Sequence, residues 1–127
     1  AANEAARKIN IHLLGVSVLT SFSDEDLEGL GFMNKVYDQV KNLIKIANDA
    51  NLHGVICSPL EIKMVKEIAP NLKCFTPGIR MTETKDDQKR TMNANEAIKE
   101  GSDYLIIGRP ITKGDPNNNI KNIRVIY

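Results

Sequence analysis

The stretch GVICSPLE, residues 54–61, contains the pattern that decides the fold. Its first half is a short apolar run with β-branched residues, which is typical of a buried strand. Ser58 then offers an N-cap side chain, Pro59 suits the first helical position, and Glu61 completes the acidic first turn. The stretch therefore predicts a buried strand that passes directly into a helix.

The same unit of strand followed by helix recurs along the chain. Apolar runs predict strands at residues 11–19, 54–57, 73–76 and 104–107. Helical spacing and capping residues predict helices at residues 24–30, 34–50, 59–69, 93–100 and from 115 onward. This alternation predicts an α/β fold with a parallel sheet and right-handed crossovers. Four such units fit either a small open sheet or half of an eight-stranded (βα)₈ barrel.

Length and composition exclude several classes of protein. The 127 residues suffice for one domain, and 17 Lys and Arg against 16 Asp and Glu leave a net charge of +1. This balance argues against binding to a nucleic acid polymer, which needs a basic surplus. No apolar run approaches the ~20 residues of a membrane span. The two cysteines, Cys57 and Cys74, are expected to be buried core thiols, and we expect a cytoplasmic protein.

The first eight residues, AANEAARK, are strong helix formers that run directly into the first predicted strand. They include no initiator Met and resemble the last turns of a helix that starts upstream. We therefore expect the chain to be a fragment of a longer protein.

Candidate binding residues follow the predicted strands, because parallel βα folds bind ligands beyond the carboxyl ends of their strands. Gly108 and Arg109 are the strongest candidates for ligand binding. A glycine lets the backbone approach a ligand closely, and an arginine fork binds anions. Loops after the last strands of barrels often hold phosphate, and Arg80 adds a second cation at a neighbouring strand end. From this spacing alone two interpretations stay open: a phosphate site, or a solvated arginine after a turn glycine.

The two histidines carry no sign of a metal site. His12 lies within the first predicted strand and His53 just before the second. Neither has a Cys, His or carboxylate at the spacing that metal ligands require. The sequence therefore predicts no bound metal.

Several motifs together resemble those of bacterial orotidine 5′-monophosphate decarboxylases. They are TPGIR at 76–80, DQKR at 87–90, YLIIGRPIT at 104–112, VLTS at 18–21 and GVICS at 54–58. The resemblance covers essentially the whole chain, in order and at compatible spacing. It implies a (βα)₈ TIM barrel that acts as a homodimer and uses no metal or organic cofactor. The implied reaction is decarboxylation of orotidine 5′-monophosphate to UMP in de novo pyrimidine biosynthesis.

The resemblance also implies which part of the barrel this chain supplies. Residues 1–127 correspond to one unit, the C-terminal half with strands five to eight, and the N-terminal half is absent from them. By position, Thr20 is expected at the pyrimidine end of the substrate. Arg80 and Gln88 are expected at the substrate-closing strand end and lid, and Gly108 and Arg109 at the 5′-phosphate.

One departure from the family pattern concerns the chemistry itself. The family's catalytic signature is an Asp-x-Lys-x-x-Asp run, and this chain contains none. Asp87 and Lys89 begin such a run, but Met92 stands where the second Asp is required. We therefore predict no catalytic residue in this chain and expect the 127 residues alone to be inactive. Two alternatives stay open: a non-catalytic half-barrel that binds nucleotide or phosphate, and a related sugar-phosphate barrel enzyme.

Overall fold

The computed structural model describes residues 1–80 and 90–124, and within these the chain alternates strands and helices. The strands are β1 (Leu14–Val16), β2 (Gly54–Ile56), β3 (Lys73–Thr76) and β4 (Tyr104–Leu105). The helices are α1 (Ala2–Lys8), α2 (Asp24–Gly29), α3 (Val36–Asp49), α4 (Ile62–Ile68), α5 (Ala94–Lys99), α6 (Arg109–Thr112) and α7 (Pro116–Arg124). None of the helices in the described ranges combines the length and apolar character that crossing a bilayer requires.

The four strands form one sheet in the order β1-β2-β3-β4, and each neighbouring pair is parallel. The α/β class and the parallel sheet predicted from the sequence are confirmed. The strand predicted at 73–76 is confirmed with those bounds. Two other predicted lengths were wrong, because the run at 11–19 yields only three strand residues and the run at 104–107 only two. A strand ends where its partner's backbone stops pairing, and among the described residues β1 and β4 each have a partner strand on one side only.

The helix starts predicted at Ser23 and Ser58 are confirmed at the level of individual hydrogen bonds, whereas the helix predicted from residue 34 begins at Val36 without a side-chain cap. Ser23 Oγ accepts from the Asp26 amide, and the Asp26 carboxylate accepts from the Ser23 amide at 2.7 Å. Ser58 and Glu61 form the same reciprocal pair, with Ser58 N donating to Glu61 Oε2 at 2.9 Å. The first turn there is a 3₁₀ turn, Pro59–Glu61, which leads into α4. Each pair satisfies two amides that the helix itself cannot.

The hydrophobic core lies between the sheet and the helices on one of its faces. Val55 of β2 and Cys74 of β3 are paired in register and point to this side, where both are fully covered. Helix α3 contributes an apolar stripe, and α4 packs beside it. The most deeply buried side chains of the two helices are Val40, Ile44, Ile62 and Val65. The helical spacing predicted for residues 34–50 is thus explained by burial against the sheet.

The opposite face of the sheet carries apolar and aromatic side chains that are open to solvent. Val16, Ile56, Phe75 and Tyr104 are matched in register across the four strands. Phe75 and Tyr104 stack with ring centroids 4.4 Å apart, yet Tyr104 is 51% exposed and Val16 56% exposed. Within residues 1–80 and 90–124, helices therefore cover one face of the sheet and leave the other open.

An ion-pair cluster holds the amino end of β4 to its neighbours. Asp103 accepts hydrogen bonds from Lys66 Nζ at 2.6 Å, Lys73 Nζ at 2.9 Å and the Cys74 amide at 2.9 Å. The Asp103 side chain is only 19% exposed. Burial opposes its ionisation, but the bonds from Lys66, Cys74 and Lys73 outweigh burial and lower the pKa of Asp103 from 3.8 to about 2.

Replacing Asp103 by Asn is expected to destabilise the fold in a pH-dependent way. The pKa of Asp103 is lower in the folded chain than in the unfolded chain, so its contribution is present above pH 4 and is lost as the pH falls toward 2. The size of the pKa shift corresponds to about 2 kcal/mol at neutral pH. Urea unfolding of both forms at pH 7 and pH 3 checks this. We expect the difference in unfolding free energy between the unsubstituted chain and Asp103→Asn to be about 1 kcal/mol smaller at pH 3 than at pH 7. The same difference at both pH values would contradict a stabilising role for the ionised Asp103 carboxylate.

Candidate functional site

Gly108 and Arg109 lie three and four residues beyond the carboxyl end of β4. Gly108 is exposed, and its carbonyl accepts from the amides of Ile111 at 2.9 Å and Thr112 at 3.1 Å. These bonds start the short helix α6 at Arg109, a helix that sequence reasoning missed because its four residues are too few for a periodic pattern. The half-buried Arg109 thus lies on an ordered turn, where its guanidinium can bind an anion.

Arg80 lies four residues beyond the end of the neighbouring strand β3. Its amide donates to the Met92 carbonyl at 3.0 Å, and the Met92 amide donates to the Gly78 carbonyl at 3.2 Å. Its guanidinium Nη1 donates to the Ile79 carbonyl at 2.9 Å, and the side chain is half-buried. The backbone on both sides of Ile79, including the Arg80 amide, is therefore held by a strand-like pair with Met92.

Thr20 lies beyond the carboxyl end of β1 and is 6% exposed. Its carbonyl accepts from the Arg90 amide at 3.2 Å. Because β1, β3 and β4 are parallel, Thr20, Arg80 and Arg109 lie at the same edge of the sheet. Gln88, the fifth predicted binding residue, lies outside the described residues.

Sequence reasoning missed a buried ion pair between Arg90 and Glu61 at this edge. The Arg90 side chain is 13% exposed and that of Glu61 6% exposed, and burial lowers the pKa of Arg90 from its usual value. Glu61 was interpreted only as a capping residue, a role it also fills. The two residues are 29 positions apart, and no local pattern joins positions at that distance.

The remaining titratable groups of interest are held in structural contacts. Cys57 and Cys74 are buried free thiols, as predicted, and the hydrogen bond to Cys74 together with burial raises the pKa of Cys57. A neutral buried thiol is a poor nucleophile. His12 and His53 stack with ring centroids 3.8 Å apart. Across residues 1–80 and 90–124, no three metal-binding side chains come together.

Comparison with known proteins points to the same family as the sequence motifs. The family described as "Orotidine 5'-phosphate decarboxylase / HUMPS family" matches residues 1–123. A relative named orotidine 5′-phosphate decarboxylase from Wolbachia pipientis subsp. Culex pipiens is 51% identical over 104 residues, which cover 81% of this chain and 46% of the relative. One of the same name from Dictyoglomus thermophilum is 47% identical over 117 residues, 89% of this chain and 48% of the relative.

The fold agrees with a solved structure that carries the same name. The crystal structure of orotidine 5′-phosphate decarboxylase from Lactobacillus acidophilus matches with a TM-score of 0.74 and 34% identity. The match covers 91% of this chain and 49% of that one. The chain thus spans about half the length of the relatives that it matches, and its four parallel strands are part of a TIM barrel fold. Its motifs, its sheet and its relatives agree: the chain belongs to the orotidine 5′-phosphate decarboxylase / HUMPS family.

Proposed function

We propose that this chain supplies the phosphate- and base-binding strand ends of an enzyme that decarboxylates orotidine 5′-monophosphate to UMP. The observation that carries the proposal is the placement of Arg109 beside exposed Gly108, four residues beyond the end of β4. A cation and an approachable backbone at the end of the last strand suit a phosphate group. Relatives that carry the name of this activity support the choice of substrate.

The binding groups on this chain have a defined task in such a reaction. When the bond to CO₂ breaks, its electron pair stays on the pyrimidine ring and must be stabilised and protonated. The resemblance assigns that step to the Asp-x-Lys-x-x-Asp run, which these 127 residues lack. We propose that Arg109 and Gly108 bind the 5′-phosphate, and that Arg80 and Thr20 orient the rest of the nucleotide. Binding a non-reacting phosphate lowers the barrier when it also places the ring correctly.

We also propose that residues 1–127 act as one half of a barrel, closed by the half that precedes it in the relatives. The open face of the sheet supports this, since Val16 and Tyr104 are exposed although apolar side chains usually pack against a partner. The backbones of β1 and β4 each lack a neighbouring strand on one side among the described residues. Exposed edges of this kind are usually paired or covered in native proteins.

Activity with and without the missing half tests the proposal. The chain alone is expected to leave the absorbance of orotidine 5′-monophosphate unchanged, because it lacks the catalytic lysine and aspartates. Joined to the first half of the Wolbachia pipientis relative, it is expected to convert orotidine 5′-monophosphate to UMP. A joined protein that folds but neither converts the substrate nor binds UMP would exclude the proposed function.

Ligand preference separates the proposal from its two alternatives. A sugar-phosphate barrel enzyme would bind ribose 5-phosphate as well as it binds UMP, whereas the proposed site prefers UMP. The absence of the catalytic run favours a second candidate for the chain by itself, a half-barrel that binds nucleotide without catalysis. UMP binding by the joined protein without any conversion would favour this second candidate.

The proposed oligomeric state and cellular location rest on the same family resemblance. We propose a homodimer of completed barrels in the cytoplasm, as the family resemblance implies. The free thiols of Cys57 and Cys74 suit a reducing compartment. Sedimentation of the joined protein tests the dimer: a single monomeric species at micromolar concentration would contradict it.

A further inference from the structure

The segment of residues 90–92, which we call the strand-end clamp, crosses the carboxyl ends of three strands. At β1, the Arg90 amide donates to the Thr20 carbonyl at 3.2 Å. At β2, Ser58 Oγ donates to the Arg90 carbonyl at 3.4 Å. At β3, Met92 pairs with the backbone on both sides of Ile79. The ladders of these strands end with the Ser17 amide bonded to the Ile56 carbonyl at 3.0 Å and the Cys57 amide bonded to the Phe75 carbonyl at 3.2 Å. The clamp therefore adds hydrogen bonds to all three strand ends just beyond the last bonds of their own ladders.

The guanidinium of Arg90 strengthens the clamp at its β1 end. Nη2 donates to the Val18 carbonyl at 2.9 Å and to the Leu19 carbonyl at 2.8 Å, while Nη1 bonds to the Glu61 carboxylate. With the Thr20 carbonyl, Arg90 thus holds three consecutive carbonyls of the segment that ends at Thr20. The planar fork of arginine suits this task, because its donors point to fixed and separate acceptors.

Glu61 makes the buried position of this cation possible. A charge that is 13% exposed is costly unless an opposite charge and hydrogen bonds compensate it. Glu61 Oε1 supplies the opposite charge, and its other oxygen accepts from the Ser58 amide at 2.9 Å. The Glu61 carboxylate therefore connects the clamp rigidly to the turn that follows β2.

We propose that Arg90 is a positioning residue: it places Thr20 and Arg80 for the nucleotide without contacting the nucleotide itself. This inference rests on the function proposed for the same strand ends. Thr20 is held through its own carbonyl, and the Arg80 amide is held through Met92, two residues after Arg90. Binding groups must be held to within about 0.5 Å, and a shift of about 1 Å can cost a factor of ~10² in rate.

The chain offers a control that separates positioning from stability. Lys66 forms a partly buried ion pair with Asp103 at 2.6 Å, at the amino end of the strands and away from the clamp. Lys66→Met and Arg90→Met each remove one cation from such a pair and leave a carboxylate behind. A purely structural role predicts that both substitutions lower stability and that neither alters ligand affinity in the molecules that remain folded.

The test measures UMP affinity and kcat in the joined protein, at a temperature where every variant is folded. We expect Arg90→Met to raise the dissociation constant of UMP about tenfold and to lower kcat, while Lys66→Met leaves both within about twofold. Arg90→Lys keeps the cation beside Glu61 but has no fork, so we expect it to recover stability and little of the affinity. Equal affinities in Arg90→Met and Lys66→Met would overturn the proposal.

Amide hydrogen exchange gives a second readout that needs no ligand. In Arg90→Met, exchange at the Arg80 and Met92 amides is expected to speed up by about tenfold, with no such change in Lys66→Met. Unchanged exchange at both amides would overturn the positioning role. If the unsubstituted joined protein fails to bind UMP, the proposed function fails, and this exchange comparison still decides whether Arg90 holds the strand ends.

Discussion

Replacing Arg109 by Ala is expected to lower kcat/KM for orotidine 5′-monophosphate by a factor of ~10², or about 3 kcal/mol of transition-state stabilisation. Arg109 lies four residues beyond the end of β4 and follows the exposed Gly108 in the chain. In the proposed site, its removal is expected to leave the phosphate without its cation and to loosen the alignment of the pyrimidine ring. Because the phosphate does not react, the loss should appear in kcat as well as in KM. Initial rates of the joined protein, measured by absorbance, check this.

Lys113 provides the matched control for Arg109. It is an exposed cation at the other end of α6, and its amide donates to the Arg109 carbonyl at 3.1 Å. Lys113→Ala removes one positive charge from the same short helix, so a general effect of charge would appear in both variants. We expect Lys113→Ala to change kcat/KM by less than about twofold, as surface charges usually do. An Arg109→Ala enzyme with the unsubstituted kcat/KM would remove Arg109 from the phosphate site.

Replacing Gly54 by Ala is expected to destabilise the fold by about 3 kcal/mol, at the upper end of what overpacking costs. A Cβ atom at this position would lie 2.4 Å from the Lys73 carbonyl oxygen and 3.0 Å from the ring of Phe75. The carbonyl belongs to the backbone of the neighbouring strand, so it cannot move without separating β2 from β3. Urea unfolding monitored by circular dichroism measures the loss.

Gly29 supplies the control for the loss of a glycine. It is the last residue of α2, and a Cβ added there would meet nothing within 4 Å. Alanine is the better helix former, so Gly29→Ala is expected to be neutral or to stabilise by up to about 1 kcal/mol. If Gly54→Ala unfolded at the same urea concentration as Gly29→Ala, the close approach of β2 and β3 would not govern this position.

Helix starts were predictable because their chemistry is local. The side chain of Ser23 bonds to an amide three residues away, and that of Ser58 to an amide two residues away. Both residues could therefore be identified as N-caps from a few neighbouring letters. Strand ends were less predictable, since the apolar run at 11–19 continues beyond the three residues that pair with β2. Pairing depends on the partner strand, which lies about forty residues later in the chain.

Part of the candidate site was also predictable from the amino-acid sequence alone. Residues that follow strands must lie at the carboxyl edge of a parallel sheet, and Thr20, Arg80 and Arg109 do lie there. Their contacts with a nucleotide stay predictions, and Gln88 lies outside the described residues. The clamp that holds these residues was not predicted, because its hydrogen bonds join segments that are up to 72 positions apart.

The sequence by itself determined the order of strands and helices, the parallel sheet and the family, because hydrophobic periodicity, helix capping and motifs each depend on residues that are close together in the sequence. Only the tertiary structure decided that Arg90 is buried against Glu61 and that Gly54 must lack a side chain. Both depend on how closely segments that are far apart in the sequence approach each other in space. The buried Arg90 cation needs contact with the Glu61 carboxylate, and the Lys73 carbonyl leaves no room for a Cβ atom at Gly54. Such distances are set by the packing of the whole sheet, and no short stretch of sequence contains them.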